Sequence, residues 1–237
     1  MAHILIVLTS HTELGSTGRM TGFYFDEMAA PYWAMIDAGH DVSIASIAGG
    51  PATHDPGSVN DDPAKRPAAV TRFLDSAPAM AKLSNTPSVD TVDADAYDAI
   101  FLPGGHGTMY DFPQSAALAD AVSSVWNAGG IVGSVCHGPA GLVGAIRTDG
   151  KPLVEGLRVN AFTDAEEEAV SLTNEMPFLL ESRLRSLGAK FEKTDNFQPH
   201  AVRDGCLVTG QNPASAPLVA EHFISALADA AASQAAQ

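Results

Sequence analysis

Cys136 and His137 stand side by side in the stretch GSVCHGPAGL (residues 133–142), and Cys136 is one of only two cysteines in 237 residues. A thiol beside an imidazole is the smallest set that can do nucleophilic catalysis, because the thiolate attacks and the imidazole takes and returns its proton. Neighbours in sequence need not touch in space, and buried cysteines are common, so the pair alone leaves a structural reading open. Its surroundings add information. Ser134 and Gly138 are small, as a sharp strand-to-helix elbow under a nucleophile requires, and Pro139 suits a first helical turn, where a missing N–H costs nothing. A helix starting there would turn its positive end toward the thiol and favour thiolate.

Three further groups carry potential chemistry. Gly104 and Gly105, in the GGHGT loop, let backbone N–H groups approach a ligand and form an oxyanion hole. His106 in the same loop would either hydrogen-bond within the site or cap the loop. Glu27 lies among apolar neighbours in FYFDEMAAPYW; a carboxyl there would tend to be protonated and bond to a thiolate, unless it is an ordinary solvated helix-face glutamate. The run Glu166-Glu167-Glu168 is either a solvated acidic loop or the source of a third group that orients a histidine. Cys206 is read as structural. The eight histidines show no ligand spacing, so no metal site is expected, and no phosphate-binding fingerprint calls for a cofactor.

The elements that must position these residues alternate between short β-rich runs and longer helical patterns, the order of a mostly parallel sheet with helices on both faces. Expected strands are HILIVLT (3–9), DVSIASI from Asp41, YDAIFLP (97–103), IVGSV (131–135), LRVNAF (157–162) and LVTG (207–210). Expected helices cover 22–39, 115–128, a segment from about Pro139, MPFLLESRLRSLG, and the Ala-rich segment after Pro213; TDAEEEA is read as a loop. Cys136 then falls just past a strand, where ligands bind in parallel α/β sheets. Residues 49–95, rich in Pro, Asp, Asn and Gly with helices around 65–83, are too long for an ordinary connection and read as an inserted cap. The terminal ASQAAQ is expected to fray.

Composition sets the outer limits. With 46% hydrophobic residues the chain can bury one large core, so a single domain over 1–237 is expected. The opening MAHILIVLTS lacks a basic flank and a cleavage site and reads as a strand; no stretch approaches the roughly 20 apolar residues of a membrane span. A cytoplasmic protein without a membrane partner is expected. A formal charge of −15, from 28 acidic and 13 basic residues, repels phosphate backbones and argues against a nucleic-acid partner. Two cysteines 70 positions apart signal neither a disulfide nor a structural zinc.

Five segments in order, GFYFDEMAAPY, LPGGHGTMYDFP, SVCHGPAGL, NAFTDAEEEAV and DGCLVTGQNPASA, resemble the ThiJ/PfpI superfamily of glutamine-amidotransferase-like folds over roughly residues 3–225. The likeness is closest to its branch of heat-inducible chaperones and glutathione-independent glyoxalases (glyoxalase III). The resemblance implies a flavodoxin-like sandwich with 49–95 as a cap, and a homodimer. It places the nucleophile at Cys136, its histidine at His137, the triad carboxylate at Glu167 with Glu166 and Glu168 leaving the register open by one, and the buried glutamate at Glu27. Gly105 and the His137 backbone become oxyanion donors, with Gly104 and His106 in the same substrate-binding loop. The implied activity is that of a glyoxalase III-like lyase of the D-lactate dehydratase class: methylglyoxal, a small 2-oxoaldehyde, becomes D-lactate through a Cys136 hemithioacetal. No metal, nucleotide or glutathione is needed, and protein deglycase activity would be another face of the same chemistry. The alternatives are a holdase chaperone, a cysteine-based redox stress sensor and, further off, a cysteine peptidase. A glutamine amidotransferase would carry a late His-x-Glu pair, absent here.

Overall fold

In a strand covered on both faces every residue is apolar and alternate residues serve opposite layers. The first strand shows this: Ile4, Ile6 and Leu8 join one apolar cluster, Leu5 and Val7 the other, and all five are fully buried. The computed structural model describes residues 1–235. The chain runs β1 (His3–Leu8), a two-residue hairpin β2 (Glu13–Leu14) and β3 (Arg19–Met20), α1 (Phe25–Asp37), β4 (Asp41–Ser46), α2 (Ala68–Asp75), α3 (Ala77–Ser84) and β5 (Ala99–Leu102). It continues through α4 (Thr108–Asp111), α5 (Ala116–Asn127), β6 (Ile131–Val135), β7 (Arg158–Val159), α6 (Asp164–Ala169), α7 (Leu180–Ser186) and β8 (Lys190–Phe191). It closes with β9 (Ala201–Asp204), β10 (Leu207–Gly210) and α8 (Ala216–Ala235).

The main sheet has the order β4-β1-β5-β6-β10-β9, parallel throughout except for the edge strand β9. On one face Ile4, Ile6, Phe101 and Val135 meet Met28 and Met35 of α1, Phe73 of α2, and Val219 and Phe223 of α8. On the other, Leu5, Ile100, Leu102 and Val132 meet Leu118, Val122 and Val125 of α5 and Leu184 of α7. The fold is thus the flavodoxin-like sandwich expected, with helices on both faces of a mostly parallel sheet. Since β1, β5, β6 and β10 all run the same way, the loops after them gather at one edge, where the GGH loop follows β5 and Cys136 follows β6. Among the described residues no helix is long and apolar enough to cross a membrane.

Several local expectations need correction. The helix from about Pro139 is only a five-residue 3-10 turn, Gly138–Leu142; glycines at 138, 141 and 144 weaken any longer helix. LRVNAF gives the main sheet no strand: β7 is two residues long and pairs with β8 in a separate ribbon, because the Asn160 N–H turns away to Thr209 Oγ1. TDAEEEA is a helix, not a loop, started by a capping box between Thr163 and Glu166; the Thr-x-x-Glu signature was present in the sequence. β9 reaches β10 through a tight Gly205-Cys206 turn in which Gly205 has φ 58°, and a glycine at the first turn position was another legible signal. Within 49–95, α2 and α3 thicken the layer around α1, while Asp55 and Gly57 reach the site described below. α8 carries residues 232–235 of the tail expected to fray, and residues 236–237 lie outside the described range.

Gly133 of β6 sits directly under this packing, since a Cβ there would lie 2.6 Å from carbons of both Phe101 and Phe223. Those rings, 5.5 Å apart and edge to face, have no room to yield, so Gly133→Ala should cost about 1–3 kcal/mol through overpacking. Urea unfolding measures this directly, and an unchanged midpoint would show that the α8 layer is loosely seated.

Candidate active site

Cys136 follows β6 in a conformation that suits glycine, with φ 60°, which costs on the order of 1–3 kcal/mol unless neighbours enforce it. They do: the Cys136 N–H donates to Gly210 O at 2.8 Å and its carbonyl accepts the Phe162 N–H at 2.8 Å. The space under the elbow exists because glycines line it. A Cβ on Gly104 would come within 2.6 Å of His137 N and 2.7 Å of Val135 O, and one on Gly138 would collide with Leu102 O. The thiol is 3% exposed and opens on a cavity of about 260 Å³.

A hydrogen-bonded line runs from the sulfur. His137 Nδ1 lies 3.3 Å from Cys136 Sγ, and His137 Nε2 lies 2.7 Å from Glu167 Oε2. Successive positions of a helix point about 100° apart, so α6 gives its three glutamates three environments. Glu167 faces His137. Glu166 is wholly buried and accepts hydrogen bonds from the Thr163 N–H and hydroxyl, the Phe197 N–H and the Gln211 and Asn212 amides. Glu168 is exposed. Of the three registers left open by the sequence, geometry thus presents Glu167 to the histidine.

Burial would raise the Glu167 pKa, but His137 and His106 outweigh it and hold the carboxyl at about 2. His137 itself is pushed down, by burial first and then by His106, against the pull of Glu167. The two shifts fit together if, near neutrality, a neutral imidazole donates its Nε2–H to an ionised carboxylate; Nδ1 is then free to take the thiol proton. Glu27 is the opposite case. Burial lifts its pKa well above the ordinary carboxylate range, so it stands protonated beside the thiol. Oε2 accepts the Gly104 N–H at 2.8 Å, while Oε1 is buried without a hydrogen bond of ordinary length. The Cys136 pKa is raised, by burial first and then by Glu27, with the His137 backbone N–H acting the other way. This corrects the expected thiolate at a helix start: the thiol is too deeply buried, and the turn after it too short, for a helix dipole to prevail.

His106 Nε2 lies 3.0 Å from Glu167 Oε1 and its ring centroid 4.2 Å from that of His137, so one carboxylate holds two histidines. The donor atoms of His106, His137 and Glu167 all lie within 4.8 Å of one another, close enough to share a metal ion, although hydrogen bonds already account for the arrangement. Gly104 needs correction as a substrate-binding group. Its N–H is engaged by Glu27, and of the loop only Gly105, with φ 104°, and His106 line the cavity.

Other cavity residues went unnoticed in the sequence. Phe162, whose ring centroid is 4.4 Å from that of His137, Leu14, Val170, Leu172 and Phe197 make apolar walls, and Arg19, Asp55 and Tyr24 add polar groups. The Tyr24 phenol, pushed up to about 12 by burial and then Glu27, stays a hydrogen-bond donor. Only the Gly-Ser-Thr-Gly turn of 15–18, which signals the hairpin bearing Leu14 and Arg19, was readable; the rest converge from distant segments.

A cysteine elbow at the carboxyl end of a parallel strand, on a flavodoxin-like sandwich, defines the class of protein. The chain belongs to the DJ-1/PfpI family, whose profile matches residues 21–226. It is 31% identical to Glyoxalase 3 of Candida albicans over 95% of this chain and 98% of that one. The crystal structure of glyoxalase III from the same yeast matches with a TM-score of 0.87, covering 95% and 97% of the two chains at 30% identity. The glutathione-independent glyoxalase HSP31 of Saccharomyces cerevisiae is 31% identical over 94% of this chain and 97% of its own. The Rapid Encystment Protein 24 kDa of Francisella tularensis matches with a TM-score of 0.90 and 33% identity, over 96% and 99% of the two chains.

The depressed Glu167 pKa has a stability consequence with a definite sign. An unfolded glutamate titrates near 4.3, so stabilisation by ionised Glu167 is fully present above that pH and is lost as pH falls toward about 2. The stability difference between wild type and Glu167→Gln should therefore be largest above pH 5, up to about 3 kcal/mol, and shrink between pH 4.5 and 2. Urea titrations at several pH values read this, and a gap that widens on acidification would contradict the ionised assignment.

Proposed function

We propose that this protein is a glutathione-independent glyoxalase that converts methylglyoxal and related small 2-oxoaldehydes into 2-hydroxy acids, D-lactate in the case of methylglyoxal, with Cys136 as nucleophile. The observation that carries the proposal is the line Cys136–His137–Glu167 with protonated Glu27 beside the thiol, Cys136 and His137 opening on one small cavity. The names of the Candida and Saccharomyces relatives support it.

The geometry suggests how each proton moves. His137 Nδ1 takes the thiol proton as sulfur adds to the aldehyde carbon, and the new alkoxide, held by the N–H groups of Gly105 and His137, receives the Glu27 proton. The Glu27 carboxylate left behind is unusually basic, because burial has raised its pKa. It removes hydrogen from the first carbon while the second carbonyl oxygen takes the proton from His137, giving an enediol. Glu27 then protonates the second carbon and accepts the hydroxyl proton of the first. The first carbon is thereby oxidised to a thioester and the second reduced to an alcohol, without an external redox partner. Water activated by His137 cleaves the carbon–sulfur bond and frees the acid and the thiol. Aldehyde adducts of protein amines or thiols release the same substrate, so deglycase activity would follow from the same steps.

The rival readings gain less support. Exposed large hydrophobic residues among those described are only Met1, Met20, Ile146, Val170 and Phe197, a small surface for holding unfolded chains. A redox sensor needs a ready thiolate, whereas burial here keeps the proton on sulfur. A homodimer is the assembly that the family likeness suggests, in a protein read as cytoplasmic, and light scattering should give about twice the 24.6 kDa chain mass; a monomer would refute the dimer.

D-lactate formation from methylglyoxal without added glutathione tests the proposal. Cys136→Ala should lower kcat by at least about a thousandfold, the usual consequence of losing a covalent nucleophile. Glu27→Gln keeps an acceptor for the Gly104 N–H but cannot shuttle a proton, so it should fold normally and lose about a hundredfold or more. Full activity in Cys136→Ala would end this mechanism.

A further inference from the structure

The proposed reaction turns a neutral substrate into an anion, and the cavity wall has one feature suited to that change. Arg19 is the single arginine or lysine among the residues lining the cavity. The chain has more than two carboxylates per cation, and among the described residues most of its guanidinium groups are engaged, Arg183 outside the cavity being the other exception. Arg66, Arg72, Arg147, Arg158, Arg185 and Arg203 all make ion pairs or side-chain hydrogen bonds. The Arg19 side chain makes neither among the described residues, and only its backbone N–H is engaged, by Thr17 Oγ1. The carboxylate that shares the wall with it is committed elsewhere: Asp55 accepts the Thr21 hydroxyl and the Gly57 N–H.

The placement of Arg19 is built into the fold. It pairs with Leu14, another wall residue, in the β2–β3 hairpin. Gly15 and Gly18, at φ 52° and 70°, make the turn, and Glu175 fastens it by accepting the Ser16 N–H and hydroxyl. Opposite chemistry lies deeper: an ionised Glu167 and the acid–base Glu27. A carboxylate released from Cys136 is repelled by Glu167 and by the field of a protein of formal charge −15, whereas the exposed Arg19 guanidinium at the mouth offers a planar fork of donors that matches a carboxylate.

We propose that Arg19 forms an anion subsite at the cavity wall that binds the carboxylate of the 2-hydroxy acid product and, by the same chemistry, of other small 2-substituted carboxylates. This rests on the glyoxalase reading for its physiological ligand, while the subsite itself rests on the cavity geometry. Its effect is to move the nascent anion from the sulfur toward the mouth, and so to make product a site-directed inhibitor at high concentration.

Binding to Cys136→Ser protein, which cannot turn over, isolates the subsite from catalysis. Ligand-observed NMR titrations would compare D-lactate with D-lactamide, its neutral isostere. The parent should bind lactate more tightly than lactamide, and lose the preference as salt is raised. Adding Arg19→Gln should weaken lactate about three- to tenfold, the range between an exposed pair and a charge-assisted one, while leaving lactamide unchanged. Arg19→Lys should restore most of the preference, and Arg183→Gln, which removes an unpartnered arginine outside the cavity, should have no effect. Equal binding of lactate and lactamide by the parent, or lactate binding indifferent to Arg19→Gln in a protein with unchanged circular dichroism, overturns the proposal. If wild type makes no lactate from methylglyoxal but lactate binding still depends on Arg19, the reaction assignment falls and the subsite stands.

Discussion

The backbone of Cys136, held at φ 60° between β6 and the 3-10 turn, fixes where everything else at this edge of the sheet must go. A side chain in that conformation projects away from the sheet only if nothing occupies the space around the turn. Gly104, Gly105 and Gly138 keep that space open, each at a point where a Cβ would strike main-chain atoms of another segment. The strain at one residue is therefore spread over hydrogen bonds to Gly210 and Phe162, so that β10 and the segment entering α6 are tied to the same elbow. Because that segment leads straight to Thr163 and the helix it caps, the tie that holds the cysteine also sets the distance from His137 to Glu167.

Two buried carboxyls near one thiol are kept apart in protonation by their partners, not by their depth. Glu27 meets one backbone N–H and no cation, and Asp26 and Asp55 add like charge, so desolvation dominates and the proton stays. Glu167 meets two imidazoles, and their hydrogen bonds and charge overcome the same desolvation. One group is thus an acid with a basic conjugate, the other a permanent anion that orients a histidine; this division of labour is how a single site runs acid and base steps at one pH. The raised thiol pKa fits the division, since a second negative charge added to that of Glu167 in this volume would be costly until a proton can leave to His137.

The layers of the fold were legible because alternation within β1, β5 and β6 and the order of elements are local properties. Cys136, His137 and the GGH loop were legible for a related reason: each sits in a short motif at a strand end. Glu27 and Glu167 were recognisable through resemblance, since a glutamate in an amphipathic helix and one in an acidic triplet look ordinary until tertiary contacts bury them. The helical character of TDAEEEA was present in its capping box and was obscured by the charge density of the run. The cavity walls were not legible, because Phe162, the Val170–Leu172 stretch and Phe197 come to the cavity from three separate parts of the chain and share no spacing. The thiol's protonation was misjudged because burial depends on those same long-range contacts, whereas the helix-start argument is local.

Adjacent glutamates in α6 show how little sequence distance separates structure from chemistry. Glu166 gathers the cap of its own helix, the Phe197 N–H and the amides that follow β10, and in doing so positions an apolar wall of the cavity. Glu167, one residue on, holds His106 and His137. A helical step of about 100° converts one peptide bond into two different directions, so the wall and the triad cannot shift independently. Phe197, with φ 61°, keeps that unfavourable backbone through the hydrogen bond to Glu166. The shape of the pocket and the orientation of the base are therefore set by one short capped helix, and that helix is placed by the elbow it faces.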